Sequence, residues 1–211
     1  MDDHRLLHDP PLSSIEEYMA TGGGNGLAGA RHLGPAGTID EIAAAGLRGR
    51  GGAGFPTGLK WRSVASGGPG TRYAVCNAAE GEPGTFKDRA LLRANPYAVI
   101  EGLLIAAESV GATEAFIAMK ASFAPELEAV RRALVEVEEA DWLGGITVTV
   151  VTGPEEYLFG EEKALLEVIE GKEPLPRWLP PYLHGLFATG PQLGWQAAPS
   201  PDPAALSDDD G

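Results

Sequence analysis

The run Ala115-Phe116-Ile117-Ala118-Met119 is a short apolar segment of the kind that forms a β-strand. After it, from Pro125 to about Ala140, apolar residues recur on one helical face, which predicts an amphipathic helix. From Ile146 to Thr152 valine and threonine alternate, which predicts another strand. The three segments therefore follow one another as strand, helix and strand.

The same alternation continues on both sides of this segment. Tyr73-Ala74-Val75-Cys76-Asn77 predicts a buried strand, and Asn95 followed by Pro96 predicts the start of a helix that runs to about Val110. Residues 160–171 predict a last helix, whose acidic first turn suits the helix dipole. Strands that alternate with helices predict an α/β layered domain with a largely parallel sheet.

The sequence pattern divides the chain into three parts. Residues 1–37 are predicted to be an irregular N-terminal lead-in, with one short amphipathic piece at 14–19. The α/β domain is expected over residues 38–191. It begins with a capping box, in which Glu41 follows Thr38 by three residues, on a helix that Gly46 closes. Residues 192–211 are rich in Ala, Pro, Ser and Asp, which predicts a disordered acidic tail.

Charge and cysteine content argue against several functions. The 211-residue chain has a formal net charge of −14 and one cysteine, Cys76. Nucleic acids are held by basic surfaces, so general nucleic-acid binding is not expected. One cysteine cannot form an internal disulfide or hold an iron–sulfur cluster, and four histidines without ligand spacing predict no metal site. With no secretory leader and no apolar run that could cross a bilayer, we expect a cytoplasmic protein without direct membrane insertion.

A glycine-rich stretch, Leu47–Trp61 (LRGRGGAGFPTGLKW), is the strongest functional signal. Its five glycines lie among three cations, and no acid interrupts the window from Ile42 to Ala79. Bare backbone amides and nearby cations together form a site for phosphate. A flexible linker is the alternative, although linkers are usually featureless Gly/Ser runs. Neither the common dinucleotide fingerprint nor a Walker sequence is present, so the stretch predicts a phosphate loop of another kind.

Two further segments carry polar residues where α/β sheets bind ligands. Residues 77–88 follow a strand and include two carboxylates, Glu80 and Glu82. Residues 157–166 open a helix at Gly160, where backbone amides can meet an anion. For Glu80 and Glu82 the alternative is a solvated pair of loop carboxylates.

Together with Pro176-Arg177 and Pro180-Pro181, these three segments resemble the flavoprotein, NADH-binding subunit of respiratory NADH:quinone oxidoreductase (complex I). Diaphorase subunits of NAD-linked hydrogenases and formate dehydrogenases share the pattern. The resemblance runs from about Thr38 to Pro191. It implies a Rossmann-like, three-layer α/β domain that binds FMN, with NADH as the substrate that passes a hydride to the flavin.

The resemblance also implies roles for individual residues, by motif position. The contacts to FMN lie on the glycine loop, the end of the first strand and the start of the last helix: Gly49, Arg50, Gly51, Gly52, Lys60, Asn77, Glu80, Gly160, Glu161 and Glu162. The contacts to NADH lie on Phe55, Glu82 and Tyr157. No catalytic side chain is expected, because the reacting groups are those of the cofactor and the substrate.

Departures from the family pattern leave alternatives open. Ala79 stands where the family usually has aspartate, and Leu179 stands where it has an NADH-contacting lysine. The Thr-Thr-x-Asn-Asn segment that completes the flavin pocket, and the cluster-bearing C-terminal domain, have no counterpart. The resemblance therefore implies that a partner subunit with iron–sulfur clusters, or a soluble acceptor, takes the electrons. The alternatives are an FMN- or nucleotide-binding module without turnover and a relic without a ligand.

Overall fold

The computed structural model describes residues 6–50, 54–68, 70–177 and 186–187. Its centre is a parallel sheet whose strand order follows the chain, so that Cys76, Ile117 and Val150 lie side by side across it. The predicted α/β fold with a parallel sheet is confirmed. The three strands are Tyr73–Ala78 (β1), Glu114–Lys120 (β2) and Thr147–Gly153 (β3).

Seven α-helices and one 3₁₀ turn surround this sheet in the described part of the chain. The expected caps hold for one of the sheet-covering helices: the Asn95 side chain accepts a hydrogen bond from the Ala98 N–H, and Gly111 ends the same helix with a φ of 71°. The helices are Ile15–Ala20 (α1), Asn25–Ala44 (α2), Thr57–Ala65 (α3), Lys87–Ala94 (α4), Pro96–Val110 (α5), Ala124–Glu139 (α6) and Glu162–Ile169 (α7), and the 3₁₀ turn is Tyr157–Gly160.

One face of the sheet carries the larger apolar core. Because successive strand side chains lie on opposite faces, Ala74, Ile117 and Val150 all face this layer. Helices α5 and α6 cover it, and Ile100 and Leu104 of α5 are fully buried there. The N-terminal helices pack on the outside of α5, so this side of the molecule is several side chains deep.

The other face carries a smaller apolar cluster under the 3₁₀ turn and α7. Phe159 and Leu165 are buried against Ala118 of β2. The Phe159 ring lies so close to Gly153 that a Cβ at that position would overlap it, so β3 has to end in glycine. Helical layers on both faces agree with the expected three-layer, Rossmann-like arrangement.

The amphipathic piece expected at 14–19 corresponds to α1, but the expectation of an irregular lead-in is wrong for residues 25–37, which lie in α2 with one bend at Gly34. The Glu101 carboxylate on α5 accepts hydrogen bonds from the Tyr18 hydroxyl and from the backbone N–H groups of Gly24 and Leu27. It thereby caps the start of α2 from a distant part of the chain. A cap of this kind leaves no local pattern, which is why the helix was not predicted.

The predicted capping box is wrong as well. Thr38 lies inside α2, and its hydroxyl donates to the backbone carbonyls of Gly34 at 2.9 Å and Ala30 at 3.1 Å. The helix bends at Gly34, whose φ is 71°, and continues from Pro35. The predicted end is right, because α2 stops at Ala44 and Gly46 follows with a φ of 66°.

Other expectations concern residues outside the described ranges. The predicted acidic tail, 192–211, lies there entirely, as do residues 1–5, and the division of the chain at residues 38 and 191 stays a prediction. Within the described residues, no single helix combines the length and the hydropathy that a membrane crossing requires.

Candidate functional site

Several of the predicted site residues lie close together at the edge of the sheet where the strands end. Asn77, near the end of β1, donates from Nδ2 to the carbonyl of Gly160 at 2.9 Å, and its Oδ1 accepts from the Ala79 N–H at 3.2 Å. The Asn77 side chain thus ties the end of β1 to the turn before α7. This is the edge at which parallel α/β sheets bind their ligands.

An ion pair joins two other predicted residues across the same edge. Lys60 on α3 approaches Glu162, the first residue of α7, with 3.3 Å between Nζ and Oε1. Their side chains are 56% and 60% exposed, so water screens the pair and it adds little stability. The Lys60 ammonium therefore remains accessible to a ligand.

Bare backbone faces bare backbone between these residues. A Cβ built on Gly81 would lie 2.9 Å from the carbonyl oxygen of Tyr157, and one on Gly160 would lie 3.3 Å from the Gly81 nitrogen. Only glycine at position 81 fits this approach without a shift of the backbone. The turn after β1 and the turn after β3 are consequently in direct contact.

The stem of the glycine loop is closed by hydrogen bonds. The Gly49 N–H donates to the Phe55 carbonyl at 2.9 Å, and the Thr57 N–H donates to the Leu47 carbonyl at 2.9 Å. Arg48 donates from its guanidinium to the Gly54 carbonyl at 3.1 Å. This pairing favours a built loop over the linker alternative. Gly51 and Gly52, at its tip, lie outside the described residues.

The Glu80 carboxylate is already hydrogen-bonded to other parts of the protein. Its carboxylate is 2% exposed and accepts from the backbone N–H groups of Asp88 at 3.0 Å and Arg89 at 3.3 Å, at the start of α4. The solvated-pair alternative is therefore wrong for Glu80. Its φ of 24° lies in the region that side chains disfavour, so this contact holds a strained turn in place.

Of the other predicted residues, one caps a helix and several are exposed to solvent. The Glu161 carboxylate caps α7 by accepting from the N–H groups of Lys163 at 2.9 Å and Ala164 at 3.0 Å. The aromatic rings expected at the nucleotide are accessible, because Phe55 is 56% and Tyr157 61% exposed. Arg50 and Glu82 are exposed as well.

Several residues that hold this edge together were not predicted. Buried Lys120, at the end of β2, donates to the Glu155 carbonyl at 3.0 Å, and the Glu155 carboxylate accepts from the Ser122 hydroxyl at 2.8 Å. On α4, Arg89 reaches buried Glu126 of α6. Lys120 had a usable signal, since it is a lysine at the end of an apolar strand. The Arg89–Glu126 pair, 37 residues apart, had none.

Cys76 behaves as a structural residue. Burial, with a smaller contribution from the Asp88 charge, raises the pKa of its thiol to about 11. It is therefore a neutral thiol near pH 7. Among the described residues no group of three or more His, Cys, Asp or Glu side chains could hold a metal ion.

Two cavities lie away from Lys60, Asn77 and Gly160: one of about 620 Å³ between α6 and the carboxyl ends of β2 and β3, where Ala121 and Thr152 line it, and one of about 160 Å³ at the bend of α2. In the described part of the chain, the candidate site is thus defined by converging polar groups and bare backbone. These are Lys60, Asn77, Gly81, Gly160 and Glu162.

Several known proteins have sequences similar to most of this chain. A subunit of the NADH-quinone oxidoreductase of Aquifex aeolicus (strain VF5) is 41% identical over 181 residues, which are 82% of this chain and 42% of the relative. The subunit of the same name in Streptomyces coelicolor is 40% identical over 185 residues, 83% of this chain and 41% of the relative. The chain therefore spans about two fifths of the length of these curated relatives.

A solved structure and a family model agree with the sequence relatives. The crystal structure of an NAD⁺-reducing NiFe-hydrogenase in the H2-reduced state contains a chain that matches with a TM-score of 0.62 and 41% sequence identity. The match covers 70% of this chain and 26% of that one. The model of the Nuo51 FMN-binding domain matches residues 42–190. With more than half of its length matched, the chain belongs to the Nuo51 FMN-binding domain family.

Proposed function

We propose that the chain is an FMN-dependent NADH dehydrogenase domain that passes electrons on to another chain or to a soluble acceptor. The observation that carries the proposal is the convergence of Lys60, Asn77 and the Gly160–Glu162 turn at the carboxyl edge of the sheet, in a member of an FMN-binding family. These groups come from three separate segments that the resemblance assigns to one ligand.

The groups at this edge fit the chemistry of a flavin nucleotide. FMN carries a phosphate, for which the accessible Lys60 ammonium and the amides of the glycine loop are suitable donors. It also carries a flat ring with polar edges. The two contacting turns that carry Gly81 and Gly160, tied together by the Asn77 amide, would flank such a ring. Gly49, Arg50, Gly51, Gly52, Glu80, Glu161 and Glu162 complete the proposed cofactor set.

The substrate contacts are assigned to groups that the solvent reaches. Phe55 and Tyr157 would stack on the bases of NADH, and Glu82 would accept a hydrogen bond at its nicotinamide end. When bound, FMN supplies a two-electron acceptor for NADH oxidation. The protein's own residues bind and orient the two nucleotides, and no side chain of this chain exchanges a proton in the proposed reaction.

The onward path of the electrons is a separate proposal. The 211 residues contain one cysteine, which is too few to ligate an iron–sulfur cluster. We propose a redox partner subunit that carries such clusters, and a cytoplasmic location for the assembly. A binding module without turnover is the second candidate. It is favoured by Ala79, which is fully buried and carries no polar group where the family usually has an aspartate.

The test is a titration of the purified full chain with FMN, followed by anaerobic addition of NADH. We expect a yellow protein whose flavin absorption bleaches on addition of NADH. Bound flavin that stays oxidised under excess NADH would establish the second candidate. Protein that takes up no FMN, and whose melting temperature FMN does not raise, would contradict both candidates.

A pair of variants on α3 localises the site. Lys60→Met removes the cation beside Asn77 and Gly160, whereas Arg62→Met removes one that pairs with Asp40 on α2 at 2.5 Å. Loss of a charge-assisted contact costs about 1.5–3 kcal/mol, which is about ten- to a hundredfold in the Kd of FMN. We expect this loss for Lys60→Met and less than about twofold for Arg62→Met. Equal effects of the two variants would argue against the proposed site.

A further inference from the structure

The short helix α4 connects the proposed site to the large core. It begins nine residues after β1 ends and meets α5 at an angle of 101°. Eight residues are too few for a stable helix by themselves, so the orientation of α4 depends on its contacts. The contacts at its two ends and on its charged face therefore fix the position of the turn that precedes it.

Two arginines of α4 form ion pairs with one buried carboxylate. Arg89 and Arg93, one helical turn apart, bring their Nε atoms to 2.9 Å and 2.7 Å from the same oxygen, Oε1 of Glu126. The Glu126 side chain is fully buried, and it belongs to the first turn of α6, where the helix dipole favours a negative charge. Arg89 also lies over the Phe123 ring, 4.9 Å from its centroid.

The charge of Glu126 is fixed by these contacts. Burial opposes ionisation, but the hydrogen bond from Arg89 and the charges of Arg93 and Arg89 outweigh it, and the pKa of Glu126 is lowered. Its second oxygen, Oε2, is buried and has no hydrogen-bond partner among the described residues. A buried pair of this kind is a weak source of stability, but it fixes an orientation.

Arg89 links this buried carboxylate to the strand-end turn. Its side chain is held by Glu126, while its backbone N–H donates to Glu80 at 3.3 Å, beside the N–H of Asp88 at 3.0 Å. The turn between Glu80 and α4 carries Gly81 and Glu82. Within it, the Thr85 N–H and hydroxyl both donate to the Glu82 carbonyl.

We propose that Glu126, through Arg89 and Arg93, is a positioning residue for NADH binding. It holds α4, and thereby the strained Glu80 turn, in the orientation that presents Glu82 to the nucleotide. Glu126 itself contacts neither nucleotide. The contacts of Arg89 and Arg93 with Glu126, which we call the clamp, are observed in the structure. The effect of the clamp on NADH binding rests on the proposed function as well.

The test compares Glu126→Gln with Glu128→Gln, which removes an exposed carboxylate two residues further along α6. In the ligand-free protein, amide hydrogen exchange of residues 80–94 should be about tenfold faster in Glu126→Gln and unchanged in Glu128→Gln. With FMN bound, the KM for NADH should rise about five- to tenfold while kcat changes by less than about twofold, and the Kd of FMN should rise as well, because Glu80 and Gly81 of the same turn belong to the proposed cofactor site. Arg93→Gln, which keeps Arg89 in place, should give a smaller effect of the same kind and serves if Glu126→Gln does not fold.

The outcomes separate the inference from the proposed function. Unchanged exchange in both Glu126→Gln and Arg93→Gln would overturn the clamp. Faster exchange with an unchanged KM would overturn the positioning role. Wild-type protein that binds no FMN would refute the proposed function and the catalytic consequence together, and the exchange measurement would still support or overturn the clamp.

Discussion

The two faces of the sheet are built differently. Among the described residues, one face is covered by α5, α6 and the N-terminal helices with a cluster of 23 buried apolar residues, whereas the cluster under the 3₁₀ turn and α7 has five. Asn77 and the turn at residues 160–162 lie at the strand ends on the side of the smaller cluster, and Lys60 of α3 reaches Glu162 there. The larger face thus carries most of the stability, and the thinner face leaves room for polar groups and close backbone approach.

The comparison predicts that the same Leu→Ala substitution lowers the free energy of unfolding by different amounts on the two faces. Leu104 of α5 and Leu165 of α7 are both almost completely buried, at 0% and 1% exposure. Leu104→Ala should cost about 3–5 kcal/mol, because the deep layer around it cannot collapse. Leu165→Ala should cost about 2 kcal/mol, since the thin layer over it can relax. Urea unfolding, with an unchanged m-value as the control, measures both.

Equal losses would contradict the distinction between the faces. A second readout sharpens it, because Leu165 lies in the helix that begins with Glu162. Leu165→Ala should weaken FMN binding although it destabilises less, whereas Leu104→Ala should leave the Kd of FMN unchanged at temperatures where the protein is folded. If Leu104→Ala weakened FMN binding and Leu165→Ala did not, the placement of the FMN site on the side of the smaller cluster would be refuted.

The large face was also the more predictable one. The strands and the helices that cover it show clear apolar patterns, and α5 begins with the Asn95-Pro96 signal that the structure confirms at the Ala98 N–H. Burial on one face imposes a periodicity that can be found from sequence alone. The α/β class and the parallel sheet followed from that periodicity.

The parts that were missed depend on contacts between distant residues. The start of α2 is capped by Glu101, and the Thr38 hydroxyl that was expected to cap a helix donates inside one instead. The buried state of Glu80 depends on α4, a helix of only eight residues, four of which are charged. Motif spacing identified the segments of the site, but only the fold tells which carboxylates the protein already uses.

A second prediction compares two carboxylates that cap helices. Glu101, behind the large face, is 6% exposed and accepts from the Tyr18 hydroxyl at 2.6 Å as well as from two backbone N–H groups. Glu161, at the thin face, accepts from two N–H groups at a partly exposed helix start. Glu101→Gln should cost about 1.5–3 kcal/mol, because hydrogen bonds to a buried charge are lost, and Glu161→Gln at most about 1 kcal/mol.

Hydrogen exchange locates these losses. Glu101→Gln should increase exchange throughout α1 and the first half of α2, and Glu161→Gln only in the first turn of α7. If Glu101→Gln left the N-terminal helices protected, the docking of residues 15–37 would have to depend on apolar contacts such as Leu27, and the role of the carboxylate would be refuted.

The smallest expected effect contrasts two neighbours, Cys76 and Asn77, whose side chains lie on opposite faces of β1. The Cys76 thiol faces the large core, and burial raises its pKa from 9.0 to about 11. Above about pH 9 the unfolded chain loses this proton while the folded protein keeps it, so the folded state binds more protons and its stability falls as pH rises. Up to about pH 10 the thiol should account for a loss of about 1 kcal/mol in the free energy of unfolding.

The matched variant is Cys76→Ala, which removes the thiol and should remove that part of the pH dependence. Tyr97, whose pKa burial and the Glu136 hydrogen bond raise to about 12, is present in both proteins, so its contribution cancels and the difference between them reports on the thiol. Urea unfolding at about pH 8 and pH 10 measures it. The same slope in both proteins would mean that water reaches Cys76, and the larger face would then be less tightly closed at β1 than its apolar cluster indicates.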